Sequence, residues 1–230
     1  MDNEGGGFEM ISLELLSESN SLEVYSFEKE NREYFERNLP PRPANYFDLE
    51  GFKEITRELL TEQRNRDVYM HLIRDSQGVM VGRINLSVLD GDRKTAELGY
   101  RIGENVTNLG YASETVKLVL DKAFTTYGFN RIIAGTARDN LASQRVLLKN
   151  GFTFSRIVEN DLQIHDEWVH TVVFEIRRAY YHQFQSIDKV NRVIIFSDIQ
   201  ECFLGCFFDV FILKWYKCGR KPTESVTSKH

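Results

Sequence analysis

The 230-residue chain has only three cysteines, Cys202, Cys206 and Cys218, all near its C-terminal end. An odd number confined to one end is no disulfide framework. The spacing of Cys202 and Cys206 lacks the second ligand pair that zinc would need, so no metal is expected. A reducing cytoplasm is the natural compartment for such a chain. Proline is almost as scarce, and Pro40, Pro41 and Pro43 are crowded into one short stretch, which ends any helix and forces an extended loop. A long hydrophobic run is missing too. The most apolar stretch, Cys202 to Tyr216, is short and interrupted by Asp209, so no transmembrane span is expected. Met1 to Phe8 is acidic and glycine-rich and lacks the basic and apolar regions of a secretory signal. Residues 1–9 read as a flexible lead-in. Nor is there an excess of positive charge. The formal net charge of −5 argues mildly against a nucleic-acid partner and fits an amine.

What remains is 42% hydrophobic and 27% charged, the composition of a chain with a buried core. Met10 to Leu16 alternates as a half-buried strand does. Ser17 to Asn38 suits helical segments broken near Asn20 and Ser21, and Phe47 to Leu60 carries apolar residues at helical spacing. Val68 to Ile73, Val79 to Val88 and Thr95 to Ile102 read as three strands joined by turns at Asp75 to Gly78 and Asp90 to Asp92. Tyr111 to Tyr127 is an amphipathic helix with Gly128 as a left-handed cap. Arg131 to Ala137 is a strand. Asn140 N-caps a helix that runs to Asn150, with Gly151 just past its end. Phe152 to Val158 and Trp168 to Ile176 close the list of strands. The sum is a mixed α/β chain with a sheet of about seven strands.

The chemistry concentrates between Glu97 and Gly151. A strand ending in Gly99-Tyr100-Arg101-Ile102-Gly103 feeds Thr107-Asn108-Leu109-Gly110-Tyr111-Ala112, which opens a helix. A small-residue loop at a helix N-terminus offers unpaired backbone N–H groups and the positive end of the dipole, a seat for a pyrophosphate. Four blocks then resemble one superfamily, the GNAT acetyltransferases: Ala96 to Tyr100, Leu109 to Glu114, Ala123-Phe124 with Phe129 to Ile132, and Asp139 to Val146 running on to Lys149-Asn150-Gly151-Phe152. Within it the chain is similar to the ribosomal-protein N-terminal acetyltransferases.

The resemblance implies a mostly antiparallel sheet, flanked by helices, whose strands near Glu97 and Arg131 splay around acetyl-coenzyme A. Asn108, Leu109, Gly110, Tyr111 and Ala112 would hold the pyrophosphate, and Asn140 the pantetheine arm. Backbone N–H groups of Ile102 and Gly103 would polarise the thioester carbonyl. Glu97 is the candidate base that frees the acceptor amine of its proton, and Ser143 the candidate contact for the leaving thiol. The acceptor is an amine, on a protein N-terminus or on a small molecule. A non-catalytic acyl-coenzyme A sensor is the alternative from another class. Glu114 reads as a dipole partner, His165 and His170 as hairpin residues, and Met10, Met70 and Met80 as core or strand residues.

Departures from the family pattern fall in the loop from Thr107 to Ala112 and in the last hairpin, where relatives often carry aspartate two residues after an aromatic and this chain has His170 after Trp168 and Val169. Thr107 stands where glutamine or arginine is usual, and Leu109 where many relatives carry a basic residue. Asn108 replaces a common glycine but tolerates a left-handed backbone. The domain is expected over residues 10–177. The extension from Arg178 to His230 lies outside the resemblance, with packing on the domain, a homodimer contact and an interfacial anchor all open to it.

Overall fold

Short alternating runs become strands and longer periodic ones become helices across residues 11–185, the part that the computed structural model describes, positions 38, 90 and 92 apart. The elements are β1 (Ser12–Leu15), α1 (Ser21–Glu30), α2 (Arg32–Glu36), α3 (Leu49–Arg64), β2 (Val68–Arg74), β3 (Met80–Val88), β4 (Thr95–Ile102), α4 (Tyr111–Thr125), β5 (Arg131–Ala137), α5 (Leu141–Lys149), β6 (Thr153–Ile164) and β7 (Glu167–Arg177). Tight 3₁₀ turns lie at Ala44–Phe47 and Glu104–Val106. This is the predicted order.

The seven strands form one sheet in the order β1-β2-β3-β4-β5-β7-β6. Every neighbouring pair is antiparallel except β4 and β5, which run parallel with α4 as the crossover. Side chains alternate across a strand, so each strand feeds two layers. Met70 and Leu72 of β2 pack with Val24, Phe27, Phe52 and Leu60 from α1 and α3. Ile73, Ile84, Leu98 and Ile132 pack on the other face with Val116, Leu120 and Phe124 of α4.

One expected break is misplaced. Asn20 does not interrupt a helix; its Oδ1 accepts from the Ser17 N–H at 2.8 Å and shapes the turn that precedes α1. The break falls at Asn31, between α1 and α2. Asn31 donates from its amide to the Phe27 carbonyl at 2.9 Å and accepts the Glu104 N–H at 2.9 Å. Those bonds satisfy the helix end and tie it to the loop after β4.

Strand β6 runs further than its sequence pattern suggests, because irregularities between Phe154 and Arg156 and between Val158 and Leu162 let it keep pairing with β7. The packed body also continues past Arg177. Residues 178–185 are helical, and Tyr181, 2% exposed, packs on Phe124 with ring centroids 5.1 Å apart and donates to Asp121 at 2.7 Å. Among the described residues no helix is long and apolar enough to cross a membrane. The expected lead-in, Met10, the three cysteines, the strand expected at Val193 to Phe196 and the apolar stretch from Cys202 to Tyr216 lie outside the described residues.

Candidate active site

Strands β4 and β5 pair over three positions only: Thr95 with Arg131, Ala96 with Ile132 and Glu97 with Ile133. Beyond them β4 stays with β3 as far as Ile102, while β5 stays with β7 as far as Ala137. The two strands therefore part like a V. A cleft of about 1170 Å³ opens there, floored by Leu98 to Ile102 and Ala134 to Ala137.

Backbone alternation decides which groups of β4 face the gap. The bonds from Leu89 N–H to the Thr95 carbonyl (3.1 Å) and from Gly103 N–H to the Val81 carbonyl (2.9 Å) show that odd-numbered residues bond to β3. Leu98, Tyr100 and Ile102 consequently turn their N–H and C=O groups toward the splay. This corrects one expectation: Gly103 cannot serve as an oxyanion donor, because its N–H is already committed to Val81. Ile102 keeps that orientation.

The loop into α4 has the backbone a phosphate seat needs. Asn108 sits at φ 64° and Gly110 at φ 86°, both left-handed. No side chain caps the start of α4 at Gly110, and Gly110, Tyr111, Ala112 and Ser113 line the cleft. The Leu109 side chain is 61% exposed and is not among the residues lining the cleft. Helix α5 brings positive charge to the cleft, where Arg145 and Lys149, one turn apart, are among the lining residues. Sequence reasoning missed them; their i, i+4 spacing after Asn140 was the available signal.

Helix α5 is started by Asn140, whose side chain accepts from the Ser143 N–H at 3.1 Å. That cap fixes Ser143, whose hydroxyl lies 3.0 Å from the Tyr100 hydroxyl across the cleft. Tyr100 was also missed, although its even position on β4 turns its side chain to the α4 face and its backbone to the splay. Burial pushes its phenol up, against a smaller pull from Ser143. Asn150 donates to the Ser113 hydroxyl at 3.2 Å and so braces α5 on α4.

Glu97 lies elsewhere than expected. As an odd residue it points to the α1–α3 face, is exposed, and is not part of the cleft's lining. Its side chain has no hydrogen bond or ion pair among the described residues. The absent side chain of Gly135 leaves room beside it: a Cβ there would come within 4.0 Å of Glu97 Oε1. Arg101 occupies the same face, four residues on. His165 belongs to the β6–β7 turn at φ 49°, and His170 accepts the Asn160 N–H at 3.1 Å; neither lines the cleft. Met70 and Met80 are core residues. Among the described residues no cluster of three or more metal-ligating side chains occurs.

A family model described as an acetyltransferase (GNAT) domain matches residues 13–153. A probable N-acetyltransferase of Bacillus subtilis, YjcK, is 30% identical over 155 residues, 66% of this chain and 86% of its own length. The crystal structure of a ribosomal-protein-S5-alanine acetyltransferase from Vibrio fischeri superposes with a TM-score of 0.69 at 19% identity, over 74% of this chain and 94% of that one. A spermidine N-acetyltransferase from Vibrio cholerae, in complex with CoA and spermine, gives a TM-score of 0.64 at 16% identity, over 74% and 97%. The last two establish a shared fold.

Proposed function

The chain belongs to the GNAT acetyltransferase family, and from that premise we propose that residues 10–177 transfer an acetyl group from acetyl-coenzyme A to a primary amine, a protein N-terminal α-amine first among them. The observation that carries the reading is the V between β4 and β5, with open backbone groups on one arm and a left-handed, uncapped helix start at its end. The residues present suit the donor. The first turn of α4, with Asn108 and Gly110 shaping the approach, would take the pyrophosphate, and Arg145 and Lys149 would add positive charge. Leu98, Tyr100 and Ile102 offer the backbone that an extended amide-bearing arm can pair with, much as an added strand does.

The chemistry asks three things of the protein. The acceptor must lose a proton before its nitrogen can attack. Glu97 is the carboxylate on the acceptor side of β4, and from its exposed position it would act through water. Charge developing on the carbonyl oxygen calls for a fixed donor, and the Ile102 N–H is oriented for it. The leaving sulfur needs a proton or a hydrogen bond, which the Tyr100–Ser143 hydroxyl pair can deliver.

A second reading is motivated by Glu97 lying off the cleft's lining and by the altered phosphate loop: a protein that binds acyl-coenzyme A without transferring it. Calorimetric titration with acetyl-coenzyme A, followed by a transfer assay on N-terminal peptides and small amines, separates the two. Saturable binding with acetylation of a peptide α-amine is the expected result. Binding without transfer to any amine would leave the sensor; no binding at high micromolar ligand would remove both. Turnover of small amines alone would move the acceptor from protein to metabolite.

A further inference from the structure

On the α1–α3 face of the sheet, the face away from α4, the cleft is lined by Arg42, Arg83 and Arg101. Among the described residues one carboxylate serves all three. Glu28 of α1, 1% exposed, is bonded to Arg83 Nε, to Arg101 Nη1 at 2.9 Å, and faces Arg42 Nη2 at 3.6 Å. Burial pushes the Glu28 carboxyl up, while Arg101 and Arg42 pull it back. The count is uneven in either state. Ionised, Glu28 balances one guanidinium of three; protonated, it balances none.

The surplus charge is withdrawn from water. The Arg83, Arg101 and Arg42 side chains keep 9%, 12% and 27% of their surface exposed. A guanidinium removed from water without a counter-anion is costly. At Arg101 burial pulls the pKa down, Glu28 raises it and Arg42 adds repulsion, with a net lowering. Arg42 is also short of partners, since its buried Nε has no hydrogen bond. Its guanidinium lies over the Tyr46 ring, 4.8 Å from the centroid. Beside the cluster, Gly99 presents no side chain and Asn85 closes on it: a Cβ there would meet Asn85 Oδ1 at 3.3 Å. Asp139 is the one carboxylate among the described side chains that line the cleft. Glu58 and Glu62 line a smaller cavity of about 360 Å³ that shares Arg42, Arg83 and Asn85 with it.

We propose, resting on the transfer reading above, that this face of the cleft is an acceptor subsite selecting a primary amine that carries a carboxylate, with Arg42, the most exposed of the three arginines, as its partner. A guanidinium fork matches a carboxylate in geometry as well as charge. The carboxylate can belong to an acidic residue near a protein N-terminus or to a free amino acid. A polyamine, all cation, is rejected by like charge.

The test uses the full chain saturated with coenzyme A and titrated calorimetrically with matched acceptors. One pair is a C-terminally amidated hexapeptide beginning Ser-Glu-Asp and its Ser-Gln-Asn counterpart. The second pair is alanine and alaninamide; spermidine is the fifth probe. The carboxylate-bearing member of at least one pair is expected to bind tenfold or more tightly, and the pair that responds identifies the source. In Arg42→Gln that preference is expected to vanish while acetyl-coenzyme A affinity holds, and Arg42→Lys to restore it in part. Equal affinity within both pairs in the wild-type chain overturns the proposal, as does tightest binding of spermidine, or a preference that survives Arg42→Gln. The two readings fail separately. Charge preference without acetyl transfer sinks the enzyme and leaves the subsite; transfer without charge preference does the reverse.

Discussion

Buried polar side chains carry much of the story residue by residue. His71 is 1% exposed, with Nε2 2.8 Å from the Tyr127 hydroxyl and Nδ1 without a partner. Burial, with a contribution from Lys122, lowers its pKa from 6.5 to about 4. The unfolded chain therefore takes up a proton below pH 6.5 that the folded chain refuses until about pH 4. Stability should fall through that window by about 3 kcal/mol and gain no further dependence from His71 below it. Glu14 and Glu175, whose pKa values are lowered by their arginine and asparagine partners, act in the same sense at more acid pH. Urea titrations from pH 7 to 4 on the wild type and on His71→Gln check this; the substitution should flatten the slope, whatever it does to the level. At the cleft, Tyr100→Phe leaves the Ser143 hydroxyl without its partner. Turnover should fall by about 10²-fold with little change in acetyl-coenzyme A affinity. Glu97→Gln should likewise lower turnover and leave that affinity in place, and an unchanged rate across pH would remove Glu97 as the base.

Among the elements, the start of α4 is the most sensitive. Gly110 holds φ 86° with nothing within 4 Å of where a Cβ would stand, so the barrier to substitution is conformational. Gly110→Val should cost about 1–3 kcal/mol in stability and weaken acetyl-coenzyme A binding at least tenfold by misdirecting the first-turn N–H groups. Thermal unfolding and calorimetry read the two effects separately. The sequence made these elements legible wherever one local rule decided them. The alternation of β2 to β4, the Asn140 cap and the left-handed Asn108 are all properties of a few neighbouring residues. The break at Asn31 was hidden because its side-chain partner, the Glu104 N–H, lies 73 positions away. Gly103 was misjudged for a related reason, since only the register against Val81 reveals that its N–H is taken. The arginine cluster draws on positions 28, 42, 83 and 101, and no spacing rule joins those.

In the whole molecule, the sheet is two antiparallel half-sheets joined at one parallel seam of three residue pairs. The four strands β1 to β4 stand on one side of it and β5, β7 and β6 on the other. Core packing through α4 bridges the halves, because its side chains meet Ile84, Leu98 and Ile132 together. Backbone bonding does so only at the closed end of the V. A bound extended ligand would complete the unpaired length of both arms, acting as a missing rung. Donor occupancy should then show up as cohesion between the halves. At a hundredfold excess over Kd, binding adds about 2.7 kcal/mol to the folded state. Amide hydrogen exchange should report it most strongly at Leu98, Tyr100 and Ile102, fast in the free protein and slowed by acetyl-coenzyme A. Uniform slowing over the sheet, or none, would contradict that picture. The gap between β4 and β5 is thus an interrupted weave that the substrate itself can mend.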